Sequence, residues 1–281
     1  MINDIYLKLL NSFGPQGWWP VTKEGELIPK YYQSNDITER QKLEICFGAI
    51  LTQNTNWKNV EKAIINLNEN NLIDIEKIIK IKGEKLAEII KSSGYHNQKA
   101  KKLKNFCEFL LRNYSHSQKF SGKTFVRSYI HSPTKSATCE RVRSELAHSH
   151  LRDFVGSVYK GKLDLLFKND IDELRKQLLS INGVGDETAD SIILYAAKKP
   201  IFVIDAYTKM VLNRIGYKEK TYEELQKLFM SNLPNSEKLF NEYHALLVEL
   251  GKSICKKEPL CYKCPINNYC NYYKNFTVTC E

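Results

Sequence analysis

The sequence predicts an all-α fold. Apolar residues recur at helical spacing along most of its 281 residues, strand-like alternation is scarce, and glycines and prolines fall between the periodic segments. A first helix is expected near Asn3–Ser12. An extended stretch follows, punctuated from Gly14-Pro15-Gln16-Gly17-Trp18-Trp19-Pro20 through Pro29. From Thr38 a helix runs through Leu43, Ile45, Cys46, Ala49, Ile50 and Leu51. Another begins after Asn56 with Val60, Ala63, Ile64 and Leu67. Short helices are expected at Leu72–Ile79 and Gly83–Ser92. Lys99–Asn113 places Leu103, Phe106, Cys107, Leu110 and Leu111 on one face. The final set runs from Ala206, near Tyr222–Ser231 and near Ser236–Ile254.

Between Tyr114 and Leu163 the apolar period lapses. Residues 117–161 hold eight Lys/Arg against three acids, half of the chain's excess charge of +10. A loop is expected there, with contact to a polyanion as the second reading. The chain as a whole is basic, with pI about 9.0, which favours a polyanionic partner. No apolar run reaches membrane-spanning length, and the N-terminus lacks the layout of a signal peptide. A soluble, cytoplasmic protein is expected, one whose eight cysteines do not form a disulfide framework.

Two features carry chemistry. Leu178 and Leu179 close one apolar helical pattern, Gly183 and Gly185 interrupt it, and Thr188, Ala189, Ile192, Ile193, Tyr195 and Ala196 resume it. Such a Gly-x-Gly turn between helices leaves backbone N–H groups outward, a cradle for one phosphate, or it is simply a turn. Asp205 follows Gly183 by 22 residues, just before another helix; it is either an N-cap or a catalytic carboxylate. The second feature is Cys255, Cys261, Cys264 and Cys270, spaced C-x5-C-x2-C-x5-C. Four thiolates so close together can wrap one inorganic centre, either Zn²⁺ or an iron–sulfur cluster.

With turn, acid and cysteine quartet in this order, the chain resembles the helix-hairpin-helix DNA glycosylases of the endonuclease III superfamily. The resemblance covers most of the chain outside 117–161. It implies a two-lobed fold, with a helical barrel lobe over residues 43–199. Residues 1–42 and 200–281 would form the second lobe. It also implies a [4Fe–4S] cluster on Cys255, Cys261, Cys264 and Cys270, with zinc as the alternative. In this chain the first cysteine gap is five residues where the family has six. Gly48-Ala49-Ile50-Leu51-Thr52-Gln53-Asn54-Thr55-Asn56-Trp57, with Trp18-Trp19-Pro20 before it, is similar to the 3-methyladenine glycosylases of the endonuclease III type. By that likeness Trp18 and Trp57 sandwich a flipped base, with Trp19 behind them; packing of the hydrophobic core is the alternative.

The remaining site residues follow from the same resemblance. Gly183 and Gly185 would grip a phosphate of double-stranded DNA that carries a damaged base. Gln53 would fill the hole left by the extruded nucleotide, Tyr95 would wedge the opposite bases, and Lys99 would add backbone attraction; ordinary surface places for Gln53 and Tyr95, and a solvated charged face for Lys99, are the alternatives. Asp205 would act at the sugar C1′. Bifunctional members carry a lysine two residues after the second hairpin glycine, and here that position is Glu187. A carboxylate cannot form an imine, so a monofunctional hydrolase, acting as a monomer, is expected. The alternatives are a bifunctional glycosylase/lyase for oxidised pyrimidines and a non-catalytic DNA-binding homologue.

Overall fold

The computed structural model describes residues 1–31, 37–114 and 161–278. The expected segment 117–161 therefore lies outside the described residues except for Gly161, as do Cys139 and Cys280. Thirteen α-helices are described, and the only β pairing among the described residues is one antiparallel bridge between Val21 and Lys30.

α1 (Ile2–Phe13) buries Ile2, Ile5 and Leu9. α2 (Glu39–Leu51) starts at a reciprocal capping box between Thr38 and Gln41, which satisfies two first-turn donors. Asn56 caps α3 (Trp57–Glu69) through Asn59 N. The short α4 (Ile75–Lys80) and α5 (Gly83–Ile89) lead to α6 (His96–Asn113). After the undescribed stretch come α7 (Lys162–Phe167), α8 (Ile171–Leu179) and α9 (Asp186–Ser191). A π-helical turn, Ile192–Ala196, extends α9. α10 (Ala206–Ile215), α11 (Tyr222–Asn232), α12 (Glu237–Ser253) and α13 (Asn271–Val278) complete the chain.

The helices share one continuous buried apolar cluster. Phe202 stacks on Phe229 with centroids 3.8 Å apart, and Tyr243 meets both rings edge-on. Each such buried aromatic contributes roughly 1.5–3 kcal/mol through burial. Tyr243 also donates to the Ile2 carbonyl at 2.8 Å, joining the N-terminal helix to α12.

Two polar networks position the site. Buried Glu44 of α2 accepts from Thr22 N at 2.8 Å and from its hydroxyl at 2.9 Å, while Asn68 donates to Thr22 Oγ1 and to the Leu27 carbonyl, both at 2.9 Å. Together they pin the tryptophan-bearing stretch onto α2 and α3. On the other side Asp190 is fully buried and accepts from Arg175 Nε, Tyr222 OH and Gln226 Nε2, each at 2.8 Å. That carboxylate ties α9 to α8 and α11, and so fixes the glycine turn. No described helix is long and apolar enough to cross a membrane.

Candidate active site

The turn between α8 and α9 is held from behind. Gly183 sits at φ +99°, in the left-handed region, and a Cβ there would overlap the Lys102 side chain. Gln53 Nε2 donates to the Gly183 carbonyl at 3.0 Å and to Thr188 Oγ1 at 2.8 Å, and Asn105 donates to the Asn182 carbonyl at 3.0 Å. These carbonyls therefore face the protein. The N–H groups of Gly183 and Gly185 have no partner among the described residues. Gly185 is exposed, and a Cβ there would meet nothing.

Asp205 is the N-cap of α10. Its Oδ1 accepts from Thr208 N at 2.7 Å, and the side chain is 13% exposed. Its Oδ2 lies 3.9 Å from Nε2 of buried His244 on α12. His244 Nδ1 is 2.5 Å from the hydroxyl of Tyr195, a residue of the π turn, and the Tyr195 ring packs on Trp19 at 5.2 Å. A line of contacts thus joins the indoles to the carboxylate.

Glu187 stands exposed near Asp205 and Lys209. Crowding by the protein, and then the negative charge of Asp205, push its carboxyl up to about 7, against an opposing pull from Lys209. Of the five buried polar side-chain atoms with no hydrogen-bond partner among the described residues, three belong here: Trp57 Nε1, Thr208 Oγ1 and His244 Nε2. Unpaired buried groups are uncommon in folded proteins, so their clustering marks a site built for something besides stability.

Three expectations need correction. Trp18 and Trp57 touch each other, centroids 5.2 Å apart and planes at 66°. A base between two parallel rings needs about 7 Å, two van der Waals contacts, so the structure has no slot between them. Trp19 fills the space behind, meeting Trp57 edge-on at 5.4 Å and lying against Gly48, where a Cβ would come within 2.9 Å of the indole. Gln53 is not free to fill a duplex: its amide braces the glycine turn, and its carbonyl oxygen accepts from Lys102. Lys99 is 2% exposed and donates to the carbonyls of Leu51 at 2.8 Å and Ser93 at 2.6 Å. Burial pushes its ammonium down to about 8. It anchors α6 to α2 and does not face a phosphate.

Tyr95, by contrast, is 65% exposed in a left-handed conformation just before α6. His244 and Tyr195 carry no sequence signal for a role at the site. His244 lies 39 residues beyond Asp205 on a helix whose pattern reads only as core.

Cys255, Cys261, Cys264 and Cys270 line one small cavity below α10 and α12. Arg214 reaches it, with Nη1 3.1 Å from Cys255 Sγ and 2.7 Å from the Lys256 carbonyl. Among the described residues no set of His, Cys, Asp or Glu side chains closes around a single metal ion. Four unpaired thiols around one space, with a guanidinium to offset their negative charge, suit an all-sulfur centre larger than one ion.

The turn, the acid and the indoles are thus linked through Gln53, Tyr195 and His244, and the same chain has known relatives. Residues 47–235 match the model of the HhH-GPD superfamily of base excision DNA repair proteins. The chain belongs to that superfamily and is a DNA N-glycosylase. It is 37% identical over 272 residues to a candidate DNA repair glycosylase of Methanocaldococcus jannaschii, with 96% of each chain covered. It is 24% identical over 251 residues to endonuclease III of Thermotoga maritima, covering 89% of this chain and 91% of that one. The H.pylori 3-methyladenine DNA glycosylase, solved with 1,N6-ethenoadenine, superposes with a TM-score of 0.56 at 25% identity, over 89% of this chain and 95% of the other. An endonuclease III–DNA complex shares the fold, with a TM-score of 0.64 at 17% identity over 99% and 97% of the two chains.

Proposed function

We propose that this glycosylase releases an alkylated purine from double-stranded DNA by hydrolysis, without cutting the strand. The observation that carries this reading is the run of contacts from Trp57 and Trp19 through Tyr195 and His244 to Asp205. It links an electron-rich aromatic wall to a carboxylate through two side chains. An alkylated purine is electron-poor and often cationic, and π faces attract it beyond ordinary stacking. The related H.pylori enzyme, named for 3-methyladenine and solved with 1,N6-ethenoadenine, supports that choice.

The outward N–H groups of Gly183 and Gly185 hold a phosphate beside the lesion, and Tyr95 enters the gap opposite the flipped nucleotide. The base packs against the indole wall and not between Trp18 and Trp57. In the closed wall Trp57 Nε1 lacks a partner, a deficit of about 1–3 kcal/mol that an acceptor on the purine would relieve. Asp205, held at Oδ1 by Thr208 N, presents its charge to the sugar. It stabilises the oxocarbenium-like C1′ and takes the proton of the attacking water. The base leaves with the electrons of the C1′–N bond, and water supplies the new C1′–O bond. Glu187 offers no amine for a Schiff base.

Cys255, Cys261, Cys264 and Cys270 hold a [4Fe–4S] cluster in preference to zinc. Bound, it supplies a covalent clasp for the C-terminal loop. The residues divide into the two lobes outlined above, and the protein acts as a monomer on DNA.

A panel of duplexes with 1,N6-ethenoadenine, 7-methylguanine, thymine glycol or uracil tests this reading. Release of alkylated purines, with strand breaks only after alkali and no borohydride-trapped adduct, is expected. Thymine glycol release with a trapped adduct would overturn it.

A further inference from the structure

His244 is buried at 6% exposure. Both ring nitrogens are aimed at specific groups. Tyr195 is fully buried; burial, then the negative charges of Asp205, Glu242 and Glu237, hold its hydroxyl protonated far above neutrality. The Tyr195 O–H therefore donates to His244 Nδ1. Burial also pushes the imidazole down, the opposing pull of Asp205 being smaller. A neutral ring whose Nδ1 accepts must carry its proton on Nε2. That atom is buried, has no hydrogen-bond partner among the described residues, and lies 3.9 Å from Asp205 Oδ2. This is about 1 Å longer than a hydrogen bond, the kind of gap that closes when substrate tightens a catalytic site.

We propose that His244, with its tautomer set by Tyr195, is a positioning residue that backs Asp205 Oδ2 with an N–H donor and fixes the direction of the carboxylate toward C1′. The role rests on Asp205 being the catalytic carboxylate. Thr208 N holds Oδ1 from the helix side and His244 holds Oδ2 from the core side, so the acid cannot rotate away as charge develops on the sugar. Because the Tyr195 ring also packs on Trp19, movement of the aromatic wall on base entry reaches Asp205 through two side chains. The position of the acid thus responds to an occupied pocket.

The test uses the intact protein and the duplex of the panel that wild type processes fastest. Single-turnover base release is followed against pH for wild type, His244→Leu and His244→Gln, alongside affinity for a duplex with a tetrahydrofuran abasic analogue. A donor holds a carboxylate in its charged form. Its loss in His244→Leu should move the acidic limb of the profile up by about one unit and slow release roughly tenfold. His244→Gln, which can return an N–H near the same point, should recover part of both. Affinity for the abasic duplex should not change.

The groups facing Asp205 are His244, Tyr195 and Glu187; Lys209 faces Glu187, while Glu237 and Glu242 act on Tyr195. Glu187, raised by burial and by the charge of Asp205, is present in all three proteins. If His244→Leu does not fold, Tyr195→Phe substitutes: it frees the tautomer and should slow release severalfold with the limb moved in the same direction. An unmoved acidic limb and unchanged rate in the folded variant, with Asp205→Asn inactive, would overturn the role of His244 alone. An active Asp205→Asn would overturn the reading of Asp205 as well.

Discussion

At Gly183 the backbone runs at φ +99°, where an L side chain is strained, and Lys102 occupies the place of any Cβ. Gly185 has an ordinary extended backbone, φ −105° and ψ −178°, with open space beside it. One glycine answers to the protein's own structure; the other answers to whatever approaches from outside. Gly183→Ala should therefore destabilise the fold by about 1–3 kcal/mol in urea or thermal melts. Gly185→Ala should leave the melt within about 0.5 kcal/mol of wild type, while DNA affinity falls as the added methyl blocks the backbone approach. Glu187 adds a pH dependence. Its carboxyl is raised from the ordinary 4.5 to about 7, so the folded protein binds the extra proton, and any stability it contributes is lost as pH rises between those values. At this exposed side chain that contribution is small. The new negative charge facing DNA matters more: affinity at fixed salt should fall as pH rises through 7, and Glu187→Gln should flatten that fall. An unchanged slope in Glu187→Gln would show that the carboxylate does not face the DNA.

Among the elements, helix periodicity located most of the helices within a few residues. The capped starts of α2 and α3 coincide with Thr38 and Asn56, because apolar spacing and polar caps are local properties. The short α7 and α13 were not legible: a helix of six or eight residues shows too few turns for a period to stand out. The glycine turn and the N-cap at Asp205 are local features as well. In sequence Lys99 is one of several lysines on a charged helix face, and only the packing of α6 on α2 shows that this one ammonium caps buried carbonyls. His244 was invisible because its meaning depends on α12 crossing the N-terminus of α10. The brace of the turn is also a matter of packing between helices. Asp190→Ala leaves Arg175, Tyr222 and Gln226 without their common acceptor. It should cost about 3–5 kcal/mol and reduce DNA affinity with it, read by urea unfolding and filter binding.

On the scale of the whole molecule, the core and the Tyr243–Ile2 bond join the N-terminal helix to α12, while Glu44 and Asn68 hold the tryptophan stretch on α2 and α3, so the candidate site is assembled from segments far apart in sequence. The cysteine loop sits apart from that site, lined by Arg214 of α10. Cys264→Ser should remove bound iron and the visible colour of an iron–sulfur centre, and it should loosen the C-terminal segment to proteolysis. Metal analysis of the wild type should give about four irons per chain; one zinc per chain and a colourless protein would replace the cluster with a zinc site. The joining of these parts into one enzyme rests on Asp205. The most direct measurement is single-turnover release of ethenoadenine or 7-methylguanine by wild type and Asp205→Asn, with binding to an abasic-analogue duplex measured in parallel. Loss of release by several orders of magnitude with binding retained is the expected result. Release by Asp205→Asn at the wild-type rate would contradict it.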